Sequence, residues 1–202
     1  MLYYTSIDTK TLELLKKLQK LDIFSGLRLV GGTALALQYG HRKSIDIDLF
    51  GKINADDIEI LDNLNKIGNV NTISLTNYIK IFTLDNIKLD IVNYPYKWLE
   101  PAIKEDQIRL ASDKDIAAMK LSAITNRGSK KDFVDIFFLM KHYTLKKMLQ
   151  FYEQKYNDGS VFLVLKSLVY FDDAENEELP EMLIKEDWED IKKHIINETL
   201  KI

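Results

Sequence analysis

Residues 29–50 read LVGGTALALQYGHRKSIDIDLF. Within them, Ser44 to Phe50 alternates, with Ile45, Ile47 and Leu49 on one face and Asp46 and Asp48 on the other, which predicts a half-buried β-strand. Just upstream, Leu27 to Val30 reads as a short buried strand. It runs into the sharp turn Gly31-Gly32, and Thr33 to Tyr39 continues as a short helix closed by Gly40. Side chains two apart on a strand leave the same face, here roughly 6.5–7 Å apart at the backbone. That spacing lets two carboxylates hold adjacent hard cations such as Mg²⁺. A lone Asp-x-Asp is equally what an ordinary half-exposed strand presents. The glycine corner sharpens the reading, because two residues without side chains let the backbone approach a ligand. The helix behind them aims its amides and positive dipole end at an anion such as a triphosphate. Thr33 adds a hydroxyl to that seat or caps the helix.

Outward from this stretch, leucines 12, 15, 18 and 21 predict an amphipathic helix over about 8–23. Asn54 to Ile67 reads as a second helix, with Asp56, Asp57 and Glu59 near its positive end. Strands follow at about 70–75, 78–84 and 87–93, the last two joined by an Asp85-Asn86 turn. The third contains Asp90 in IKLDIV, a carboxylate among apolar neighbours that needs a metal, a cation or water. Lys88, two residues away on the same face, is one partner; a metal shared with Asp46 and Asp48 is the other. The second case requires the three carboxylates to converge beside the glycine corner.

From Ser112 the period becomes helical, with Ser112/Asp115 and Ser129/Asp132 arranged as helix-start caps. Asp132 and Asp135 lie one helical turn apart, opposite Phe133, Phe137 and Met140, and are placed to position cations or a base. Arg127, Lys130 and Lys131 cluster around Gly128-Ser129, a junction where a phosphate meets charge and free amides. Residues 144–202 read as two or three further helices, with the acidic run DDAENEELP at 172–180 as a solvated loop. The class is α+β, a mixed sheet flanked by helices followed by a helical C-terminal lobe, divided as 1–110 and 111–202.

The 202 residues, 46% hydrophobic and 29% charged, suffice for a continuous core. A net charge of -3 gives no global basic field, so any nucleic-acid contact is local. The absence of cysteine excludes thiolate metal sites and a cysteine nucleophile, and three scattered histidines argue against a histidine metal cluster. Neither a secretory leader nor an apolar run of the ~20 residues that spans a bilayer is present, so the expectation is a cytoplasmic protein without membrane contact.

Three segments, GGTALALQYGHRKSIDIDLF, KLDIV and DIAAMKLSAITNRGSKKDFVDIFFL, together resemble the AbiEii/AbiGii toxin family of nucleotidyltransferases, a branch of the DNA polymerase beta-like superfamily. The resemblance runs from about residue 28 to 140 and keeps the family's motif order. It implies an NTP donor, Mg²⁺ (or Mn²⁺), and a toxin of a toxin-antitoxin or phage-defence pair with a cognate antitoxin. Residue by residue, it places Gly31, Gly32 and Thr33 in the phosphate-binding turn, Asp46 and Asp48 as the metal pair, and Asp90 as the third carboxylate. Lys120 matches the conserved lysine expected at the donor phosphates, and Arg127, Lys131 and Asp132 match the final motif. Arg42 is expected to steady the triphosphate or to pair with Asp46 or Asp48. His41 is read as a structural hydrogen bonder, and Tyr96 and Trp98 as pinning a loop or stacking on a base.

The acceptor hydroxyl stays open between tRNA, protein and a small molecule. Competing readings are a catalytically silent nucleotide- or antitoxin-binding module and an antibiotic-type small-molecule nucleotidyltransferase.

Overall fold

Asp8 sets the first helix. Its carboxylate accepts from the Thr11 amide and caps α1 (Thr9–Lys20), whose Leu15 and Leu18 are fully buried. A computed structural model describes residues 1–202. The predicted glycine-flanked elements follow: β1 (Leu27–Leu29), then α2 (Gly31–Tyr39), stopped by Gly40 in the left-handed region at φ 65° with its amide on the Ala36 carbonyl. β2 covers Ile47–Gly51, so it begins later than the alternation from Ser44 predicts, and Ile45 is 63% exposed. Residues 43 and 44 have other partners, the amide of Lys43 bonding to Glu181 and that of Ser44 to Ser6.

Next come α3 (Asp57–Asn65), capped by Asp56, and the strands β3 (Val70–Leu75), β4 (Ile79–Leu84) and β5 (Ile87–Asn93). Asp85 and Asn86 both take positive φ (51° and 66°), the backbone a two-residue hairpin requires and these residue types tolerate. A second hairpin, β6 (Ile103–Glu105) and β7 (Ile108–Leu110), turns through Asp106 and Gln107 and lies in a region to which the sequence reading assigned no element. Strands of three residues carry too little alternation to register.

The seven strands order as β3-β4-β5-β2-β1-β7-β6, with β2/β5 and β1/β7 parallel and the other pairs antiparallel. The β2/β5 register sets Asp48 directly beside Asp90.

Six helices complete the chain: α4 (Asp113–Ile124), α5 (Lys130–Met140), α6 (Leu145–Lys155), α7 (Val161–Leu168), the single-turn α8 (Asp172–Glu175) and α9 (Trp188–Thr199). Ser112 and Asp115 exchange hydrogen bonds at the start of α4, as their spacing predicts. α5 departs from the amphipathic reading, since Lys131 is its one exposed residue and both aspartates face inward.

The acidic run is mostly exposed, as expected, but it begins in α8 and also carries a structural contact. Glu177 accepts from the Lys130 amide at 2.7 Å, and the Lys130 ammonium bonds the carbonyls of Glu175 and Glu177. A helix start without a side-chain cap, next to a buried lysine, needs oxygens, and this segment supplies them. A single core of 47 residues runs from Leu2 to Ile195 and draws on both segments of the chain, 1–110 and 111–202. No helix is long and apolar enough to cross a membrane.

Candidate active site

The β2/β5 register brings two of the acidic residues together, and the glycine corner fits around one of them. Asp48 lies against Gly31, where a Cβ would overlap its carboxylate oxygen, and Gly31 holds φ 68°. Both facts require glycine. Burial pushes the Asp48 carboxyl up to about 6, with the nearby Asp90 charge adding to it. Asp90 accepts at Oδ2 from the Lys88 ammonium at 2.7 Å, while its Oδ1 is buried with no hydrogen-bond partner. Asp46 stands just before β2, half-buried, and its main-chain carbonyl accepts from the Thr33 hydroxyl.

Asp46, Asp48 and Asp90 line one cleft, together with Gly31, Gly32, Lys88, Lys120, Arg127 and Lys131. No three acidic or histidine side chains there are grouped as ligands of one ion. The cage of three expected from sequence is therefore not formed: Asp48 and Asp90 stand side by side, with Lys88 on Asp90, and an ion seated on them would complete its shell with water or phosphate.

Thr33 is buried, and its hydroxyl is spent on Asp46 and on Ser44 Oγ at 2.9 Å, so it fixes the acidic segment instead of facing the cleft. Gly32 has a different job from its neighbour. A Cβ there would strike the Arg42 guanidinium. The first turn of α2 has no side-chain cap, which leaves its amides available to an anion.

Arg42 pairs with neither Asp46 nor Asp48. Its Nε and Nη2 donate to the two oxygens of Asp135 at 2.8 and 2.9 Å, and its Nη1 donates to the Lys43 carbonyl. His41 Nε2 lies 2.8 Å from the same carboxylate. Lys120 is buried and bridges Asp132 at 2.8 Å and Asp135 at 2.5 Å. Ser129 donates to Asp132 at 2.6 Å, and Arg127 reaches it at 3.4 Å from a side chain that is 66% exposed.

Two buried cations thus balance two buried anions, which is the condition for keeping charge out of water. Burial works against ionisation of Asp135, yet Arg42, Lys120 and His41 outweigh it and hold its carboxyl well below the usual range. Burial likewise opposes ionisation of Asp132, and Lys120, Ser129 and Arg127 bring it down. Burial lowers His41, which is neutral with Nε2–H donating. Its Nδ1 is then an acceptor, buried without a hydrogen-bond partner.

Asp135 is the hub that sequence reasoning undervalued. Its only signal was a position one turn from Asp132.

Beside the carboxylates the cleft becomes apolar, lined by Val30, Phe50, Ile116, Met119 and Ala123 with Asp48, Lys120 and Arg127 at the boundary. Tyr96 and Trp98 lie elsewhere. Trp98 packs against the core under Arg28 and Lys155, 4.4 and 4.6 Å from its ring, so the loop is pinned to the fold. The donor set of the cleft is all carboxylate oxygen, one of them buried and unpartnered, which suits a hard divalent cation. Such an ion usually takes one or two protein carboxylates and completes its shell with phosphate and water.

This mixed sheet with flanking helices is the fold of nucleotidyltransferases. JHP933 from Helicobacter pylori superposes with a TM-score of 0.63 at 20% identity, covering 97% of this chain and 93% of that one. The nucleotidyltransferase toxin MenT4 from Mycobacterium tuberculosis gives 0.56 at 13% identity over 95% and 83%, and the antibiotic-resistance factor ANT(2'')-Ia gives 0.55 at 15% over 71% and 89%.

An uncharacterized protein of Aquifex aeolicus is 40% identical over 187 residues, 90% of each chain. The family model "Nucleotidyl transferase AbiEii toxin, Type IV TA system" matches residues 13–201, and the chain belongs to that family. It is a nucleotidyltransferase enzyme.

Proposed function

We propose that the protein transfers a nucleotidyl group from an NTP to an acceptor hydroxyl, with Mg²⁺ or Mn²⁺ held by Asp46, Asp48 and Asp90, as the toxin of a pair with an antitoxin. The observation that carries this reading is the register of Asp48 beside Asp90 on parallel strands, in a cleft shared with Asp46 and the uncapped start of α2. The ion would neutralise the triphosphate and lower the pKa of the attacking hydroxyl.

The chain's own groups do the rest. The Gly31 and Gly32 amides and the exposed Arg127 and Lys131 receive the triphosphate. Lys120 has three N–H donors, of which two go to Asp132 and Asp135, leaving one for a phosphate oxygen. Arg42 also lines the cleft and spends three of its five N–H donors on Asp135 and the Lys43 carbonyl, so it fixes the carboxylate that orients Lys120 and keeps two donors for a phosphate oxygen. The apolar side of the cleft seats the nucleoside and keeps water from the reacting phosphate.

The acceptor class is decided by incubation with each labelled NTP, Mg²⁺, and total cellular RNA and protein. Wild type labels one fraction, tRNA being the first candidate, and Asp48→Asn labels none. Equal labelling by both proteins sinks the assignment.

A further inference from the structure

Lys88 is the cleft cation for which the reaction as described has no use. It belongs to β5, two residues before Asp90 and on the same face, and its ammonium lies 2.7 Å from Asp90 Oδ2. The pairing is uneven, since the Lys88 side chain is 44% exposed and that of Asp90 19%. Lys88 therefore leaves for water easily, whereas Asp90, anchored in register beside Asp48, does not. The second Asp90 oxygen is buried and unpartnered, so the lysine satisfies only half of the carboxylate.

We propose that Lys88 is the resident counter-ion of Asp90, which a divalent cation must displace, so that this lysine weakens and thereby sets the cleft's affinity for the ion. The inference rests on the metal reading given above. Two effects act in the same direction. The ammonium occupies an oxygen the ion needs, and its positive charge repels the ion at short range. A unit charge about 5–6 Å from a doubly charged ion, screened by water at this half-exposed position to an effective dielectric near 80, accounts for about a tenfold change in affinity.

Lys88 lines the cleft wall on a flexible stem, so an ammonium released from Asp90 would stay within the cleft.

Mn²⁺ titration of the full-length protein without nucleotide, followed by electron paramagnetic resonance of the free ion, tests this. Lys88→Met keeps much of the stem and removes the charge, and it should bind Mn²⁺ about tenfold more tightly than wild type. Lys88→Arg keeps the charge and should stay within about twofold.

Equal or weaker affinity in Lys88→Met, with clear binding by wild type, overturns the role of Lys88 and leaves the metal reading standing. Wild-type affinity retained by Asp48→Asn, or no binding by any variant, overturns the metal reading and this inference with it.

Discussion

The Arg42 guanidinium and the Asp135 carboxylate meet in a two-point hydrogen bond, at 2.8 and 2.9 Å, on a side chain of Asp135 that has no exposure to solvent. This contact joins the segment leading into the Asp-x-Asp strand to helix α5. A segment from near the other end of the chain also crosses here, since Arg42 forms an isolated β-bridge with Met182 and the His41 carbonyl accepts from the Leu183 amide. The geometry of the carboxylate cleft is thus held by an ion pair that lies mainly behind it.

Removing one partner of such a pair leaves a buried charge unmatched. Arg42→Ala should therefore lose about 3–5 kcal/mol of unfolding free energy, measured by urea denaturation. Arg42→Lys restores charge without the two-point fork and should recover only part of it. A loss under about 1 kcal/mol for Arg42→Ala would show that the pair contributes little.

The same network fixes the response to acid. His41 is lowered by burial, so below about pH 6.5 the unfolded chain takes up a proton that the folded one resists. Asp132 and Asp135 are lowered too, so their stabilisation is complete above the unfolded carboxylate value near 4 and is lost as pH falls toward their folded values. These three shifts have one sign, and Asp48, raised to about 6, has the other, since between about pH 6 and pH 4 the folded chain takes up its proton before the unfolded one does. Stability should therefore change little between about pH 6.5 and pH 4, where His41 and Asp48 oppose each other, and fall steeply below about pH 4. His41→Asn removes the destabilising member of that pair, so its melting temperature should rise as pH drops between those limits.

Gly31 and Gly40 separate two uses of a left-handed glycine. Both have positive φ, 68° and 65°, but an added Cβ meets Asp48 at the first and the Tyr3 ring at the second. Alanine at either position should destabilise by about 1 kcal/mol or more. Only Gly31→Ala moves a cleft carboxylate, and it should reduce nucleotidyl transfer by at least about a hundredfold. Gly40→Ala, far from that carboxylate, should keep most of the activity at a temperature where both variants are folded.

How far the fold was legible follows from what each signal depends on. Periodicity and turn chemistry are local, and they placed α1, the β1-α2 corner, α3, the β4/β5 hairpin and the cap of α4 within a few residues. The β6/β7 hairpin left no such trace, because its three-residue strands take their stability from pairing with β1. At the site, the types and face of Asp46, Asp48 and Asp90 could be read directly.

What could not be read was partnership. Arg42 sits far in sequence from Lys120, Asp132 and Asp135, and which anion matches which cation is decided by how α5 packs against α2 and α4. A buried α5 also defeats amphipathic reasoning, because inward aspartates look like a solvated face unless their cations are known. The acidic run is solvated as its composition says, but that its oxygens also serve a distant helix start could not be read for the same reason.

Arg127 and Lys131 offer the converse case, cations that stability does not need. Arg127 touches Asp132 at 3.4 Å from an exposed side chain, and Lys131 is the exposed residue of α5; both line the carboxylate cleft. An exposed ion pair contributes about 0–1 kcal/mol, so Arg127→Ala and Lys131→Ala should melt within a few degrees of wild type. A triphosphate arriving from water, in contrast, would meet these two charges first. Each substitution should raise the KM for the NTP about tenfold, and the double variant more, with a smaller change in kcat. Because the interaction forms at an exposed rim, the wild-type KM should rise with added salt and the double variant's should rise less. Steady-state kinetics at low and near-physiological ionic strength measures both effects. If Arg127→Ala and Lys131→Ala keep the wild-type KM and its salt dependence, the triphosphate is bound by other groups, and the cleft's remaining cation donors would be Lys120, Lys88 and Arg42.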